Sequence, residues 1–283
     1  MFGPAMLGRL LRNLHMLRAR DPVEEELRGW NWSRPPLRPR AYLGLGVSEV
    51  ACQYCPTRRD VWLRRVQGVR GEVNGGMVRG KLVHMVFQDT ARMASRLYAG
   101  GVEAADIAAR LVGEASKRVK HILEDMGVSN VDGLYELGVK LYKRFALYWA
   151  SWIEETRQPP WYVEYTVDGW LLGLSRRLRV DALAPGLVVE VKYGSWREDH
   201  GVALAGYALA LEASHEYPVD YGVVIIVENG GGEIRFEPVY IGNSLRTEFI
   251  QRRDEIIDML LSSADPGKPS RCPDTCPYKK YCL

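Results

Sequence analysis

The sequence predicts an α/β protein in which a helical first part leads into a mixed central sheet with one helix embedded in it. Three observations carry this prediction. Residues 77–98, 103–126 and 131–155 place apolar side chains at helical spacing. Gln158-Pro159-Pro160 then ends the helical pattern, because proline offers no N–H and clashes with the preceding turn. Beyond it lie short β-branched runs separated by Gly- and Pro-containing turns, with one further helical stretch among them.

In chain order, residues 7–17 carry Leu7, Leu10, Leu11, Leu14 and Leu17 at helical spacing. Residues 21–39 are broken by Pro22, Pro35, Pro36 and Pro39 and read as loop with at most a helical turn. Ser48 is placed to cap a helix entering 49–52, and Pro56 starts another that runs to about Val66. Residues 71–76 form a turn. The helix over 131–155 buries Leu134, Leu137, Val139, Leu141, Phe145, Leu147, Tyr148 and Ile153. After the two prolines, 161–167 alternates, and 178–183 and 187–193 are strands split by Ala184-Pro185-Gly186. Residues 202–214 return to helix. Strands 221–228 and 233–241 flank Asn229-Gly230-Gly231-Gly232, whose glycines supply the positive φ a hairpin loop needs. A last amphipathic helix, 244–262, leads through Pro266-Gly267-Lys268-Pro269 into a cysteine-containing tail. The parts are an N-terminal extension (1–47), a helical region (48–160), a sheet core (161–265) and the tail (266–283), joined as one compact unit.

Composition bounds the function. The chain has 283 residues, 47% hydrophobic and 26% charged, which excludes disordered and fibrous classes. No apolar stretch approaches the roughly 18 residues of a membrane span, so no membrane partner is expected. The net charge of +3 is unevenly spread: residues 1–70 hold 13 Arg against 6 acidic residues, a basic end suited to a polyanion. Residues 1–20 have four Arg and no acid but lack the apolar core or serine enrichment of a targeting peptide. They read as part of the mature protein, in the cytoplasm. Five cysteines are too few for a disulfide framework in a chain this long.

Two groups of residues carry chemistry. In a strand, Glu190 and Lys192 share one face while Val189 and Val191 take the other, and the Pro185-Gly186 turn folds Asp181 back toward Glu190. Two carboxylates and an ammonium at one sheet position suit Mg²⁺ or Mn²⁺, which take oxygen ligands, and hydrolysis of a phosphodiester. The competing reading is the solvated side of an ordinary hairpin. The valines around Glu190 argue against it, since stray charge in a central strand is costly. His84, one turn after Gly80 and on the same face as Gln88, reads by itself as a hydrogen-bonded core histidine, with an imidazole ligand as the alternative. His15, His121, His200 and His215 read as hydrogen-bonded core histidines. The second group is Cys272-x3-Cys276-x5-Cys282, three thiols that need a fourth for Zn²⁺ or an iron–sulfur cluster, and only Cys52 and Cys55 can supply it. Such a site would clasp both ends of the chain, bringing Arg58, Arg59, Arg64 and Arg65 beside Lys279 and Lys280 as a phosphate-binding patch, with Tyr54, Trp62 and Tyr278 available to stack bases.

Together these residues resemble the RecB-like branch of the PD-(D/E)xK nucleases. More narrowly, the chain resembles the CRISPR-associated exonuclease family with an iron–sulfur cluster, in its archaeal type I-A variant. The matching text is Ser48-Glu49-Val50, Tyr54-Cys55-Pro56-Thr57-Arg58-Arg59-Asp60-Val61-Trp62-Leu63-Arg64, Gly80-x3-His84, Asp181, Glu190-x-Lys192 and the three tail cysteines, in order from about 48 to 282. The resemblance implies a PD-(D/E)xK core with His84, Asp181, Glu190 and the Val191 carbonyl as metal ligands and Lys192 as catalytic lysine. It also implies Cys55, Cys272, Cys276 and Cys282 as ligands of a [4Fe–4S] cluster, [2Fe–2S] in some relatives. Its members act on single-stranded DNA or overhangs and trim new spacers with the CRISPR integrase proteins. This chain departs from the pattern at Gln-x3-Tyr: Tyr207 is present and Ala203 stands at the glutamine position. It also has x3 between its first two tail cysteines, where x2 is commoner. The alternative is a weakly active DNA-binding scaffold of the integration complex, or a zinc-clasped regulator.

Overall fold

The computed structural model describes residues 4–128 and 133–282. Its centre is β3 (Leu187–Tyr193), whose Leu-Val-Val-Glu-Val run is buried on both faces, as a middle strand requires. The sheet has five strands in the order β1-β2-β3-β4-β5. Strands β1 (Tyr162–Val167) and β2 (Leu178–Ala184) run antiparallel, as do β2 and β3. The pair β3 and β4 (Tyr221–Val227) is parallel, and β5 (Ile234–Tyr240) closes the other edge antiparallel. A parallel pair needs a crossover, which here is α7 (Glu198–His215).

Alternation along the strands divides the core into two layers. Val189, Val191, Val223 and Ile225 face a helical layer of α4 (Gly75–Ala99), α5 (Ala104–Met126) and α6 (Leu134–Thr156), with Phe87, Phe145 and Trp149 at its centre. Val188, Val224 and Ile226 face α7, α8 (Asn243–Ser262) and segments from the first fifty residues. Between the sheet and α8, α7 is buried around most of its circumference. Gly206 permits this approach, since a Cβ there would lie 2.3 Å from the Phe249 ring. Helices α1 (Pro4–Arg20), α2 (Val47–Ala51) and α3 (Arg59–Arg65) complete the described elements of this type.

The boundaries differ from expectation where polar residues decide them. The helix at 49–52 is capped from Gly46, whose N–H donates to the Glu49 carboxylate at 2.6 Å, so Ser48 lies inside the first turn. Helix α3 starts at Arg59 and not at Pro56, because Arg58 adopts a left-handed conformation (φ 60°). Helix α7 begins at Glu198, ahead of the apolar pattern at 202, on the polar run Glu198-Asp199-His200. Of the helix expected over 131–155, residues 131–132 lie outside the described residues, and Leu147, expected in its buried face, is exposed. Among the described residues, no helix is long and apolar enough to cross a membrane.

A buried ionic network joins the N-terminal segment and α8 to the core. The Glu212 carboxylate on α7 accepts two bonds from Arg246 (2.7 and 2.9 Å), one from Arg28 (2.9 Å) and two from the Gly29 and Val219 N–H groups (2.8 and 3.0 Å). Arg28 continues to Asp220, which Arg18 also reaches at 2.6 Å. Removing one member leaves the others buried and uncompensated, so Glu212→Ala is expected to cost about 3–5 kcal/mol. Urea denaturation would read this as a lowered midpoint with unchanged slope; an unchanged midpoint would show the network to be dispensable.

Candidate functional site

The β2–β3 ladder runs from Ala184↔Leu187 to Ala182↔Val189, and beyond it the strands part. Asp181 fills the gap. Its Oδ2 accepts the Val191 N–H at 2.7 Å, replacing the strand carbonyl that would otherwise satisfy this donor. Its Oδ1 lies 3.0 Å from His84 Nδ1, so α4 is tied to the sheet at this point. Glu190, only 4% exposed, pairs with Lys192 through Oε1, while its Oε2 is buried and takes no hydrogen bond. The structure therefore forms two pairs here, His84 with Asp181 across α4 and β2, and Glu190 with Lys192 along β3.

The charges act on one another strongly. Burial pushes the Glu190 carboxyl up, and Asp181 adds to this against the pull of Lys192. Burial also works on Asp181, but His84, Lys192 and the Val191 N–H outweigh it and hold that carboxyl below the usual range. Burial opposes the Lys192 charge, yet Glu190 and Asp181 overcome it and hold the proton more tightly than in water. His84 behaves alike: burial lowers it, and Asp181 raises it further. The Tyr207 phenol, on α7, is driven well up by burial and by the Glu190 and Asp181 charges. Ala203, one turn earlier, is buried and offers only a methyl group.

The cysteines separate into two neighbourhoods. Cys52 lies by the carboxylates, where burial raises its thiol and Lys192, Asp199 and Glu190 act on it. The tail instead folds against the start of α3. Thr57 Oγ1 donates to the Gly267 carbonyl (2.8 Å), Arg59 pairs with Asp265 (2.7 Å) and reaches Cys282 Sγ (3.2 Å). Burial pushes the Cys276 thiol up to about 11, with Cys272 adjacent and Asp60 of α3 acting on it. Cys55, buried, sits three residues before Arg58 at the entrance to that helix, its Sγ 3.4 Å from Thr57 Oγ1. None of the five cysteines forms a disulfide. Among the described residues, no three His, Cys, Asp or Glu side chains are gathered closely enough to hold a metal ion.

Over residues 1–283 the sequence matches the family described as CRISPR-associated exonuclease Csa1. The chain belongs to the CRISPR-associated exonuclease Csa1 family. It is similar to the CRISPR-associated exonuclease Csa1 of Thermoproteus tenax, 35% identical over 98% of this chain and 97% of that protein. It is 34% identical to the Csa1 of Saccharolobus solfataricus over 92% of both. A shorter match, 29% over 41% of this chain and 65% of the relative, links it to the CRISPR-associated exonuclease Cas4 of Aeropyrum pernix. The family expected from the ordered motifs is the one found.

In this Csa1-family chain the expected basic patch is rearranged. Arg58 is buried (7% exposed), donating to the Cys52 and Val50 carbonyls at 2.7 and 3.1 Å, so it braces α2 and presents no charge to a phosphate. Arg59 is held by Asp265 and the Tyr281 carbonyl. Arg64 and Arg65 clamp Glu49, Lys279 pairs with Asp274, and Lys280 pairs with Glu72. Trp62 is buried, its indole N–H on the Ser263 carbonyl, whereas Tyr54 is exposed. Of the four remaining histidines only His200 is buried; His15, His121 and His215 are exposed and hydrogen-bonded to Tyr221, Glu124 and Tyr165. Motif reading missed Glu164, which accepts Gln88 Nε2 at 2.8 Å beside the site; the His84–Gln88 spacing was its only trace.

His200 Nδ1 accepts the Arg197 N–H at 3.2 Å, capping the start of α7 in its neutral form. Burial, then Lys192 and Arg197, push its pKa down to about 4, against an ordinary 6.5. The unfolded chain thus binds the extra proton first. Stability is complete above pH 6.5 and falls as pH drops toward 4, by on the order of 1–2 kcal/mol after solvent screening. In His200→Gln, which keeps the acceptor and cannot titrate, this part of the pH dependence is expected to vanish from urea midpoints taken between pH 7 and 4. Equal slopes in both proteins would rule the cap out.

Proposed function

We propose that this protein is a metal-dependent DNA exonuclease acting on single strands or overhangs, and that it trims new spacers alongside the CRISPR integrase proteins. The observation that carries the reading is Glu190 Oε2, a carboxylate oxygen buried without a partner while Oε1 pairs with Lys192 and the Asp181 charge acts on the same carboxyl. A buried, unbonded anionic oxygen costs free energy that a bound cation would recover. The donor types, two carboxylates, an imidazole and the Val191 carbonyl, suit Mn²⁺ or Mg²⁺, and holding the ion would draw the side chains closer together than they stand. When bound, such an ion supplies Lewis-acid polarisation of the phosphate and an activated water. Because Lys192 keeps its proton, its part is to offset charge on the phosphate, not to act as a base. His84 keeps Asp181 ionised and aimed at the gap, and neutral Tyr207 can donate to a substrate oxygen from α7. Support for the nuclease class comes from the names of the Csa1 and Cas4 relatives.

In the same proposal Cys55, Cys272, Cys276 and Cys282 ligate a [4Fe–4S] cluster, with [2Fe–2S] or Zn²⁺ as the alternatives. The folding of the tail against α3, and the placement of Cys52 by Lys192, favour Cys55 as the fourth ligand. A second reading, a weakly active DNA-binding scaffold, is favoured by Ala203, which leaves the α7 face without the amide expected there.

End-labelled single-stranded DNA with Mn²⁺ tests the first reading. Glu190→Gln and Lys192→Ala are each expected to cut at least about 100-fold more slowly while binding DNA as before. Undiminished cutting by either removes the site; an inactive wild type turns the balance to the scaffold. For the cluster, Cys55→Ser is expected to lose brown colour and bound iron on anaerobic purification, and Cys52→Ser to keep both. The reverse result would exchange the two cysteines, and zinc without iron in the wild type would remove the cluster.

A further inference from the structure

Among the described residues, four of the five non-glycine residues with positive φ stand at helix ends: Arg58, Arg157, Glu216 and Ser263. The fifth, Glu164 (φ 55°), lies in the middle of β1. Left-handed backbone inside a strand is disfavoured for a residue with a Cβ, so something must hold it. Its effect is visible in the packing. Residues two apart in a strand belong on the same face. In β1, however, Val163 packs against the helical layer while Tyr165 and Val167 pack on the α7 side. In β2, Ala182 and Ala184 face the helical layer and Leu178 and Val180 face α7. The register is continuous across the change, from Val163↔Ala182 to Tyr165↔Val180, so no residue is inserted. Both strands turn over together, at Glu164 and Asp181.

The turnover coincides with the end of the β2–β3 ladder at Ala182↔Val189. It therefore frees Asp181 to reach Val191 N and His84 at once. One face of α4 grips both partners of the reversal. His84 binds Asp181, and Gln88, a turn later, donates to Glu164 at 2.8 Å. Arg179 and Arg92 stand 3.6 and 3.9 Å from the same carboxylate.

We propose that Glu164 is a positioning residue: its left-handed conformation, locked by Gln88, reverses β1 and β2 and aims Asp181 into the site. This rests on the nuclease reading for its kinetic arm only. Glu164→Gly keeps a positive φ without strain, whereas the branched side chain of Glu164→Val opposes it. Both remove the carboxylate, so their difference does not arise from its loss. Glu164→Val is expected to lower kcat on single-stranded DNA about 100-fold with KM changed less than about threefold, and Glu164→Gly to lose less than about tenfold. In metal-free protein, the His84 ring resonances are expected to move in Glu164→Val and to stay near wild-type positions in Glu164→Gly. Equal losses in the two variants, or an unmoved His84 in Glu164→Val, overturn the proposal. If the wild type does not cleave, the nuclease reading fails, and the His84 resonances still decide the positioning role. Should Glu164→Val not fold, Gln88→Ala releases the lock instead, with His84 expected to move and an unmoved ring overturning the proposal.

Discussion

A carboxylate in the central strand of a sheet sets the terms for what surrounds it. Glu190 is flanked by Val188, Val189 and Val191, all fully buried, and cannot reach water. An isolated charge there would either be lost to protonation or exact a large desolvation cost. Lys192, two residues on and hence on the same face, answers one oxygen, and the other stays unanswered. The arrangement makes sense as a site under tension. Burial raises Glu190, while His84, Lys192 and the Val191 N–H depress Asp181, so the two carboxylates are driven apart in affinity for protons. That separation is common where chemistry is done, and ordinary hairpins have no reason to build it.

The scaffold answers with rigidity at a distance. Helix α7 lies against β3 and carries Tyr207 toward the carboxylates, and its position is fixed at its far end by Glu212. There Arg246 from α8 and Arg28 from the first segment meet one carboxylate, with peptide N–H groups completing it. Residues far apart in the chain thereby hold the helix that borders the site. A fully bonded buried network of this kind specifies one arrangement of α7 and rules out a slide along the sheet, which an all-apolar helix surface would permit.

What the sequence made legible follows from local physics. The strand Leu187–Tyr193 was readable to the residue because its valines and its two bounding turns agree. The pairing of the strands that carry Asp181 and Glu190 was readable because a short turn joins them. His84 could be proposed as a partner only through a family pattern, since nothing local distinguishes it from a core histidine. Other features had no local signature at all. The left-handed Glu164 sits in an unbroken alternation, Tyr-Val-Glu-Tyr-Thr-Val, that reads as plain strand. Cys52 and Cys55 are three residues apart yet face different neighbourhoods, a divergence set by Arg58, whose guanidinium is spent on the carbonyls of α2.

The basic residues illustrate the deeper reason. Counting arginines near the start of the chain predicts a polyanion surface, but a count cannot tell which charges are already used. Arg58, being buried, would have to leave three carbonyls unbonded to meet a phosphate, and buried acceptors left unpaired are costly. Lys280 is different: half exposed, it pairs with the exposed Glu72, where a competing phosphate exchanges one solvated ion pair for another at little cost. Arg58 and Arg59 are spent on structure instead, the one holding the carbonyls at the end of α2 and the other the tail, through Asp265 and the Tyr281 carbonyl.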